Sequence, residues 1–273
     1  MGVVNVTPDS FSDGGRYLDA DAATAHGLRL VAEGADLLDV GGESTRPGAS
    51  PVSEQEEMER VLPVIERLVA RSAGARISVD TSKLAVAERA VAAGALLVND
   101  VTALRAEPEM AGLVADLKVR CCLMHMLGEP RTMQSDPRYA NVVDEVRAFL
   151  EERLEFAVGE GIAEERILLD PGIGFGKTVA HNLELIDRLN ELRGLGRPLV
   201  IGTSRKAFLG RLTGGRSELE RLPGTIATNV LAFERGASVF RVHDVAPVRD
   251  ALTVAAATVS ARWTQSGAPT TTT

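Results

Sequence analysis

The sequence is poor in cysteine and has no long hydrophobic run. No run approaches the roughly 18 apolar residues of a membrane-spanning helix, and the N-terminus lacks the pattern of an export signal. Its two cysteines are neighbours, Cys121 and Cys122. Adjacent residues of a strand point to opposite faces, so these two do not normally form a disulfide. We therefore expect reduced core cysteines and a cytoplasmic protein.

Positive charge is also scarce. The chain has 30 Lys and Arg against 38 Asp and Glu, which gives a net charge of −8. This balance argues against a general surface for nucleic acid or anionic membranes, and neither is expected as a partner. An anionic substrate would need cations gathered locally in one pocket. Hydrophobic residues make up 45% of the chain, so a sizeable core can be buried.

The familiar nucleotide and nucleophile motifs are missing. There is no zinc-like cluster of His and Cys and no G-x-S-x-G elbow. The glycine-rich stretch LLDPGIGFGKT ends at Thr178 and comes close to two nucleotide motifs. A P-loop needs glycine where Pro171 stands, and the third glycine of a dinucleotide fingerprint, Gly176, comes one residue early. Neither motif is complete.

Short β-branched runs alternate with amphipathic stretches along the whole chain. The predicted strands cover residues 2–6, 36–40, 76–80, 96–100, 120–125, 166–170, 198–203 and 238–242. Predicted helices begin at Asp21, at Ser53 with a capping-box spacing to Glu56, and at Asn141. The predicted glycine C-caps are Gly34, Gly94 and Gly236. This alternation is typical of βα units around a parallel sheet.

The number of units favours an α/β fold, a single-domain (β/α)8 TIM barrel over residues 1–263. Eight βα units in about 260 residues match that fold, and a doubly wound open sheet is the competitor. Every predicted strand ends in hydrogen-bonding or ionisable residues: Asn5, Asp39 with Glu43, Asp80, Asn99 with Asp100, His125, Asp170, Ser204 with Lys206, and Arg241 with His243. A barrel gathers all these ends at one mouth, whereas an open sheet spreads them along an edge. We therefore predict the barrel.

Three further segments lie outside the predicted βα framework. Long loops follow the first and second strands, from Thr7 and from Gly41, and exceed the usual two to six residues. They are either disordered surface excursions or lids over the mouth, and their position favours lids. The small polar residues 264–273 are expected to be disordered.

Two sets of strand-end residues suggest a ligand. Asp80, Asn99 and Asp170 present carboxylates and an amide that match the edge of a flat, guanine-like heterocycle. The alternative is that the two aspartates cap the following helices.

The second set is Lys206, Arg241 and His243, at the ends of strands seven and eight, where barrels often bind phosphate. Alternatively, Lys206 is a solvated first-turn lysine, and Arg241 pairs with Asp244 at the surface. The pattern favours a flat polar ring beside a polyanion.

Several stretches, taken together, resemble the dihydropteroate synthases, a family of pterin-binding TIM-barrel enzymes. They include NVTPDSFSDGG at 5–15, DVGGESTRPGA at 39–49, ISVDTSK at 77–83, DPGIGFGKT at 170–178, GTSRKAFLG at 202–210 and RVHDV at 241–245. The resemblance implies a homodimeric transferase of folate biosynthesis that uses Mg²⁺. It would join 6-hydroxymethyl-7,8-dihydropterin diphosphate to p-aminobenzoate and release pyrophosphate. The alternatives are a pterin-binding paralogue without synthase activity and a folate–corrinoid methyltransferase.

The resemblance also implies roles for individual residues. Pterin-binding residues would be Asp80, Asn99, Met124, Asp170, Phe175 and Lys206. Asn5, Arg46, Arg241 and His243 would hold the diphosphate, and Asn5 also the metal. Phe11, Thr45, Pro47, Ser204 and Arg205 would contact p-aminobenzoate. The glycines beside Asp170 would let a pterin approach the backbone, and the lysine after them need not touch phosphate.

The resemblance raises one doubt, which concerns stability. Family members usually carry a segment before the first strand that closes the barrel floor, whereas this sequence starts on that strand. Val3 and Val4 are therefore expected to have less support.

The implied chemistry passes through a cation delocalised into the dihydropterin, which nearby carboxylates stabilise. Asp13, Asp80 and Lys206 are the catalytic candidates. If Asp13 stabilises the cation, Asp13→Ala will lower turnover far more than pterin affinity. Steady-state kinetics beside direct pterin binding measure the two effects, and equal losses would rule out this role.

Overall fold

The computed structural model describes residues 1–7, 16–44, 49–72, 74, 76–129 and 131–260; of residues 16–19 it describes the backbone. The predicted tail at 264–273 and most of the first predicted lid lie outside these residues. The tip of the second lid, residues 45–48, lies outside them too.

The described chain has eight strands and nine α-helices; each strand is followed by one helix, except that two helices follow the seventh strand. The strands are β1 Gly2–Asn5, β2 Leu37–Gly41, β3 Arg76–Asp80, β4 Leu97–Asp100, β5 Arg120–Met124, β6 Ile167–Asp170, β7 Leu199–Ile201 and β8 Ala237–Phe240. The helices are α1 Arg16–Ala32, α2 Glu54–Arg71, α3 Leu84–Ala92, α4 Met110–Leu117, α5 Val142–Gly159, α6 Val179–Asp187, α7 Ala207–Leu212, α8 Leu222–Glu234 and α9 Val245–Ser260. Each predicted strand is present, with its bounds shifted by at most two residues.

The sheet closes on itself, which confirms the barrel. Neighbouring strands pair in parallel in the order β1 to β8. Gly2 bridges to Val242 in parallel, and the Val3 amide donates to the Val242 carbonyl at 3.0 Å. The first and last strand segments are therefore joined, and the open sheet is excluded.

The local signals in the sequence account for several helix ends. The Ser53 hydroxyl accepts from the Glu56 amide at 3.2 Å at the start of α2, as predicted. The Glu56 carboxylate itself bonds Arg60 at 2.5 Å. Asn141 caps α5 by accepting from two backbone amides. The three predicted C-cap glycines all have φ near +100°. The first helix, in contrast, begins at Arg16, before the predicted Asp21.

The core has two parts. The larger part lies between the strands and the surrounding helices and includes Cys121. The smaller lies inside the barrel and is formed by Leu97, Cys122, Leu168 and Val200. The two cysteines thus point to opposite faces, and both are buried and free. This confirms the prediction of reduced core cysteines.

The barrel floor lies at the amino ends of the strands. Val3 and Val4 are 2% and 0% exposed, so the expectation that they lack support is wrong. A cavity of about 1180 Å³ opens below them and is lined by Met1, Leu37 and Leu97 among others. It lies at the end of the barrel opposite the polar strand ends. None of the described helices combines the length and apolarity needed to cross a membrane.

Candidate active site

The carboxyl ends of the strands bring the predicted polar residues together at one mouth. Asp80 on β3 is in register with Gly41 on β2 and with Asn99 on β4. Asp170 on β6 is in register with Met124 on β5. Parallel pairing places residues of matched register at one level of the sheet, so these residues form part of one ring.

Arg241 crosses the mouth and joins the last strand segment to the second and third strands. Its Nε donates to Asp39 Oδ2 at 2.6 Å, and its Nη2 donates to Asp80 Oδ2 at 2.8 Å. The Asn99 amide donates to the same Asp39 oxygen at 3.0 Å. The alternative that Arg241 pairs with Asp244 is wrong, because Arg205 forms that pair through two bonds of 2.9 and 2.6 Å.

Burial controls the charge state of Asp80. Desolvation, together with repulsion from the buried Asp39, raises the pKa of Asp80 to about 7 even though Arg241 acts in the opposite direction. Burial away from water and a neighbouring acidic group both disfavour the charged form of a carboxyl. Asp80 therefore exchanges its proton near neutral pH.

Asp170 lies at the base of the mouth and is 6% exposed. Burial raises its pKa, while the Gly172 amide, which donates to Asp170 Oδ1 at 2.7 Å, acts against that rise. The alternative of simple helix capping does not hold for these two aspartates. Asp80 bonds to Arg241, Asp170 binds the glycine turn, and Thr178 caps the following helix α6.

The glycine-rich stretch forms a tight turn against the end of β5. Gly172 has φ of +67°, and a Cβ there would lie 1.9 Å from the His125 carbonyl oxygen. The turn carries Phe175, whose ring centroid lies 4.1 Å from the Lys206 ammonium. The alternative of a solvated Lys206 is therefore wrong.

An apolar wall lies beside this turn. Three methionines pack together, with Val101 and Phe175 against them: Met124, Met126 and Met133. Methionine and aromatic side chains give a soft, flat surface. An aromatic ring could lie against this wall while its polar edge meets the carboxylates.

The lysine of the GKT sequence points into the protein. Lys177 is 3% exposed, and its Nζ lies 2.9 Å from His125 Nδ1 and 3.0 Å from the Phe175 carbonyl oxygen. Burial lowers the pKa of Lys177 to about 7 and that of His125 to about 2, so His125 is neutral at physiological pH. This geometry agrees with the prediction that the segment is not a P-loop.

His243 is fixed by a serine from the neighbouring strand end. Its backbone amide donates to Ser204 Oγ at 3.1 Å, and its Nδ1 lies 3.0 Å from the same hydroxyl. Burial, followed by the positive charges of Arg241 and Arg205, lowers the pKa of His243 to about 3. A neutral imidazole at this position can donate one hydrogen bond to an anion without adding charge.

A cavity of about 220 Å³ opens at the mouth next to Asp80. Its lining includes Glu43, Glu57, Thr102 and Met126. Lys83 bonds Glu43 at 2.5 Å and also bonds the fully buried Glu57. Glu43 also accepts from the Val52 amide at 3.1 Å. One carboxylate thus connects both ends of the second long loop.

Five predicted site residues lie outside the described part of the chain. They are Phe11, Asp13, Thr45, Arg46 and Pro47. Asn5 is described and lies half-buried at the end of β1, in register with Gly41.

The donor set near Asn5 suits magnesium only in part. Among the described residues, no group of three His, Cys, Asp or Glu side chains could hold a metal. Mg²⁺ often keeps several waters and binds one or two protein oxygens together with substrate phosphates. A single amide oxygen from Asn5 therefore fits such an ion in the presence of a diphosphate.

Two site residues escaped assignment from the sequence. Asp39 is 0% exposed and contacts both Arg241 and Asn99, yet the sequence marked it only as a polar strand end. The sequence signal that could have identified Asp39 as a site residue is its position two residues before the glycine pair that begins at Gly41. Lys177 was recognised as not needing phosphate, but nothing in the sequence indicated its partner His125.

Comparisons with known proteins show what this chain is similar to. Residues 1–243 match the family described as pterin binding enzyme. The dihydropteroate synthase of Escherichia coli K12 is 45% identical over 263 residues, which cover 96% of this chain and 92% of that protein. That of Mycobacterium leprae is 46% identical over 264 residues, covering 94% and 92%.

Solved structures give the same picture. The Xanthomonas albilineans dihydropteroate synthase with 4-aminobenzoic acid has a TM-score of 0.90 and 53% identity, with 95% of this chain and 92% of that chain covered. The same enzyme in complex with 7,8-dihydropteroate gives a TM-score of 0.86 and 50% identity, with coverage of 95% and 93%.

The glycine turn can be tested with two matched substitutions. Gly172 and Gly196 both have positive φ, but a Cβ at Gly196 meets nothing within 4 Å. We expect Gly196→Ala to cost about 1–2 kcal/mol from backbone strain alone. Gly172→Ala adds a clash with the His125 carbonyl, so its free energy of unfolding should fall further. Urea unfolding of both variants measures this, and equal losses would contradict the close approach.

Proposed function

The chain belongs to the dihydropteroate synthase family of pterin-binding enzymes, and on that basis we propose that it is a transferase that makes 7,8-dihydropteroate. The substrates are 6-hydroxymethyl-7,8-dihydropterin diphosphate and p-aminobenzoate, and pyrophosphate leaves. The observation that carries the proposal is the set of acidic and amide groups of Asp80, Asn99 and Asp170, which shares one mouth with Lys206 and Arg241. The first set suits a pterin edge, and the second suits a diphosphate.

The pterin is recognised at its edge and at its face. Asp170 and Asn99 are buried at the base of the mouth, where hydrogen bonds to ring N–H and carbonyl groups gain strength from the low dielectric. Phe175 and Met124 provide the apolar face, and Lys206 lies against that face. A ring that lacked these polar groups would leave buried carboxylates unpaired, which gives the site its specificity.

The diphosphate binds at the opposite side of the mouth. Arg241 has five N–H donors, and its bonds to Asp39 and Asp80 use two of them. His243 adds a neutral donor close by. Asn5 would hold Mg²⁺ there, and Mg²⁺, when bound, neutralises charge on the leaving group.

The reaction exchanges a C–O bond for a C–N bond. The methylene C–O bond breaks, and its electron pair leaves with pyrophosphate. Asp80 in its ionised form stabilises the positive charge that spreads into the dihydropterin ring. The neutral amine of p-aminobenzoate then attacks the methylene carbon and loses one proton. An anilinium-type product is acidic enough to release this proton without a strong base.

The p-aminobenzoate side of the proposed site includes the end of β7. Ser204 and Arg205 lie at the end of β7, and Arg205 has φ of +58°, held by its bonds to Asp244 and Thr225. Phe11, Thr45 and Pro47 belong to the same proposed subsite. A Yersinia pestis dihydropteroate synthase with a TM-score of 0.89 was solved with a sulfonamide drug. The proposal therefore includes competition by sulfonamides against p-aminobenzoate.

Three parts of the proposal rest on family membership and not on described contacts. They are the use of Mg²⁺, assembly as a homodimer, and a cytoplasmic location. A pterin-binding paralogue without synthase activity and a folate–corrinoid methyltransferase are the competing functions.

The function is tested by measuring pyrophosphate release from the pterin diphosphate with Mg²⁺, with and without p-aminobenzoate. Release that depends on p-aminobenzoate, with an equal amount of dihydropteroate formed, supports the synthase. Pterin binding without release would instead point to the inactive paralogue. Omission of Mg²⁺ from the same assay tests the metal.

The raised pKa of Asp80 predicts the pH dependence of catalysis. An ionised Asp80 stabilises the cation, and protonation through a pKa of about 7 removes this charge. Because kcat/KM reports ionisations of the free enzyme, it should fall as pH decreases below neutrality. Asp80→Asn should lower kcat/KM and remove this acid limb. An acid limb of unchanged midpoint in the variant would assign the ionisation to another group.

A further inference from the structure

We infer that Lys177 is a positioning residue for the pterin side of the mouth. Its ammonium connects the end of β5 to the glycine turn and thereby fixes Phe175 against Lys206. The inference rests on the proposed function, because the ligand whose binding it affects is a pterin.

The contacts of Lys177 all lie inside the protein. Its Nζ lies 2.9 Å from His125 Nδ1, 3.0 Å from the Phe175 carbonyl oxygen and 3.5 Å from the His125 carbonyl oxygen. In its protonated form Lys177 has three N–H donors, one for each of these atoms when His125 Nδ1 carries no proton. His125 is itself packed edge-on against Phe149 with a centroid distance of 4.8 Å. Lys177 is therefore attached to a rigid part of the barrel.

The glycine turn is held at three successive carbonyl groups. Gln134 donates to the carbonyl of Gly174 at 2.5 Å, and Tyr139 donates to that of Gly176 at 2.8 Å. Lys177 donates to the carbonyl between these two, which is that of Phe175. Gln134 is exposed and Tyr139 is half-buried, whereas the Lys177 side chain is only 3% exposed. Three glycines at positive φ make this turn easy to deform without such bonds.

Phe175 connects Lys177 to the side of the mouth where the pterin is proposed to bind. Its ring lies 4.1 Å from the Lys206 ammonium and packs on the methionine wall. A small shift of the Phe175 backbone would move both the aromatic face and the cation resting on it. Lys177 thus acts through Phe175 and does not itself touch the ligand.

A purely stabilising role explains the arrangement less well. The three described bonds of Lys177 go to neutral acceptors, because His125 is uncharged. A buried cation without a carboxylate bond is a weak source of stability, and apolar replacements of such groups are often neutral. Methionine has nearly the same length as lysine. The substitution Lys177→Met therefore removes the charge and the three hydrogen bonds while it keeps most of the side-chain volume.

The test compares Lys177→Met with Lys118→Met, a matched change at an exposed lysine on the barrel floor. Binding of 6-hydroxymethylpterin is measured by calorimetry, and KM is measured for both substrates. We expect the Lys177 variant to bind the pterin about tenfold more weakly, a loss of about 1.4 kcal/mol. Its KM for p-aminobenzoate and the behaviour of Lys118→Met should match the wild type.

A double-mutant cycle identifies the route of the effect. If Lys177 acts through Phe175, adding Lys177→Met to Phe175→Leu will weaken pterin binding little further. Fully additive losses would overturn the inference, as would unchanged pterin binding by Lys177→Met, even with a lower unfolding temperature. If the Lys177→Met variant does not fold, Lys177→Gln replaces it in the test, because glutamine keeps a hydrogen-bond donor. Its affinity for the pterin should lie between that of the wild type and the tenfold weaker value expected for Lys177→Met. Failure of the wild type to bind the pterin would instead overturn the proposed function.

Discussion

A half-buried guanidinium, that of Arg241, connects three strand ends at the mouth of this barrel. Arg241 lies 202 residues from Asp39 and 161 from Asp80 along the chain, yet it bonds both carboxylates in the closed barrel. Removing one partner of such a buried group typically costs about 3–5 kcal/mol, because the remaining charge stays buried and unpaired. Backbone pairing brings these strand ends together, and the guanidinium balances the negative charge of the two carboxylates that meet there.

The same arrangement prepares the site for chemistry. The mouth holds acidic groups at Asp39, Asp80 and Asp170 against the cations of Arg241 and Lys206. Asp39 is held by two donors and orients both Asn99 and Arg241, so it links the proposed pterin subsite to the proposed diphosphate subsite. Contacts within the protein orient these dipoles and charges. A site of this kind needs little reorganisation when charge develops on the substrate.

The sequence alone predicted the barrel architecture and the end of the barrel at which the candidate site lies. It did not predict which side chains bond to each other within that site. Strand periods, glycine caps and the Ser53 and Asn141 N-caps are local signals, and the structure confirms them. Barrel closure then follows from the number of βα units. The partners of Arg241 and Lys177 depend instead on contacts across 202 and 52 residues. No local pattern encodes such contacts, and for Arg241 the alternative partner nearest in sequence, Asp244, bonds Arg205 instead.

An acidic protein that binds a diphosphate needs hydrogen-bond donors and positive charges close to the anion, within the binding site itself. The net charge of −8 repels an approaching anion, but salt screens that repulsion beyond about 8–10 Å. Inside the mouth, screening by water is weak and short-range contacts dominate. Arg205 is largely neutralised by Asp244, whereas His243 is an uncharged donor. Arg241 is likewise paired, with Asp39 and Asp80, and Lys206 lies against the Phe175 ring. Recognition of the anion therefore depends on how the donors of the mouth are arranged, and the protein's overall charge contributes little.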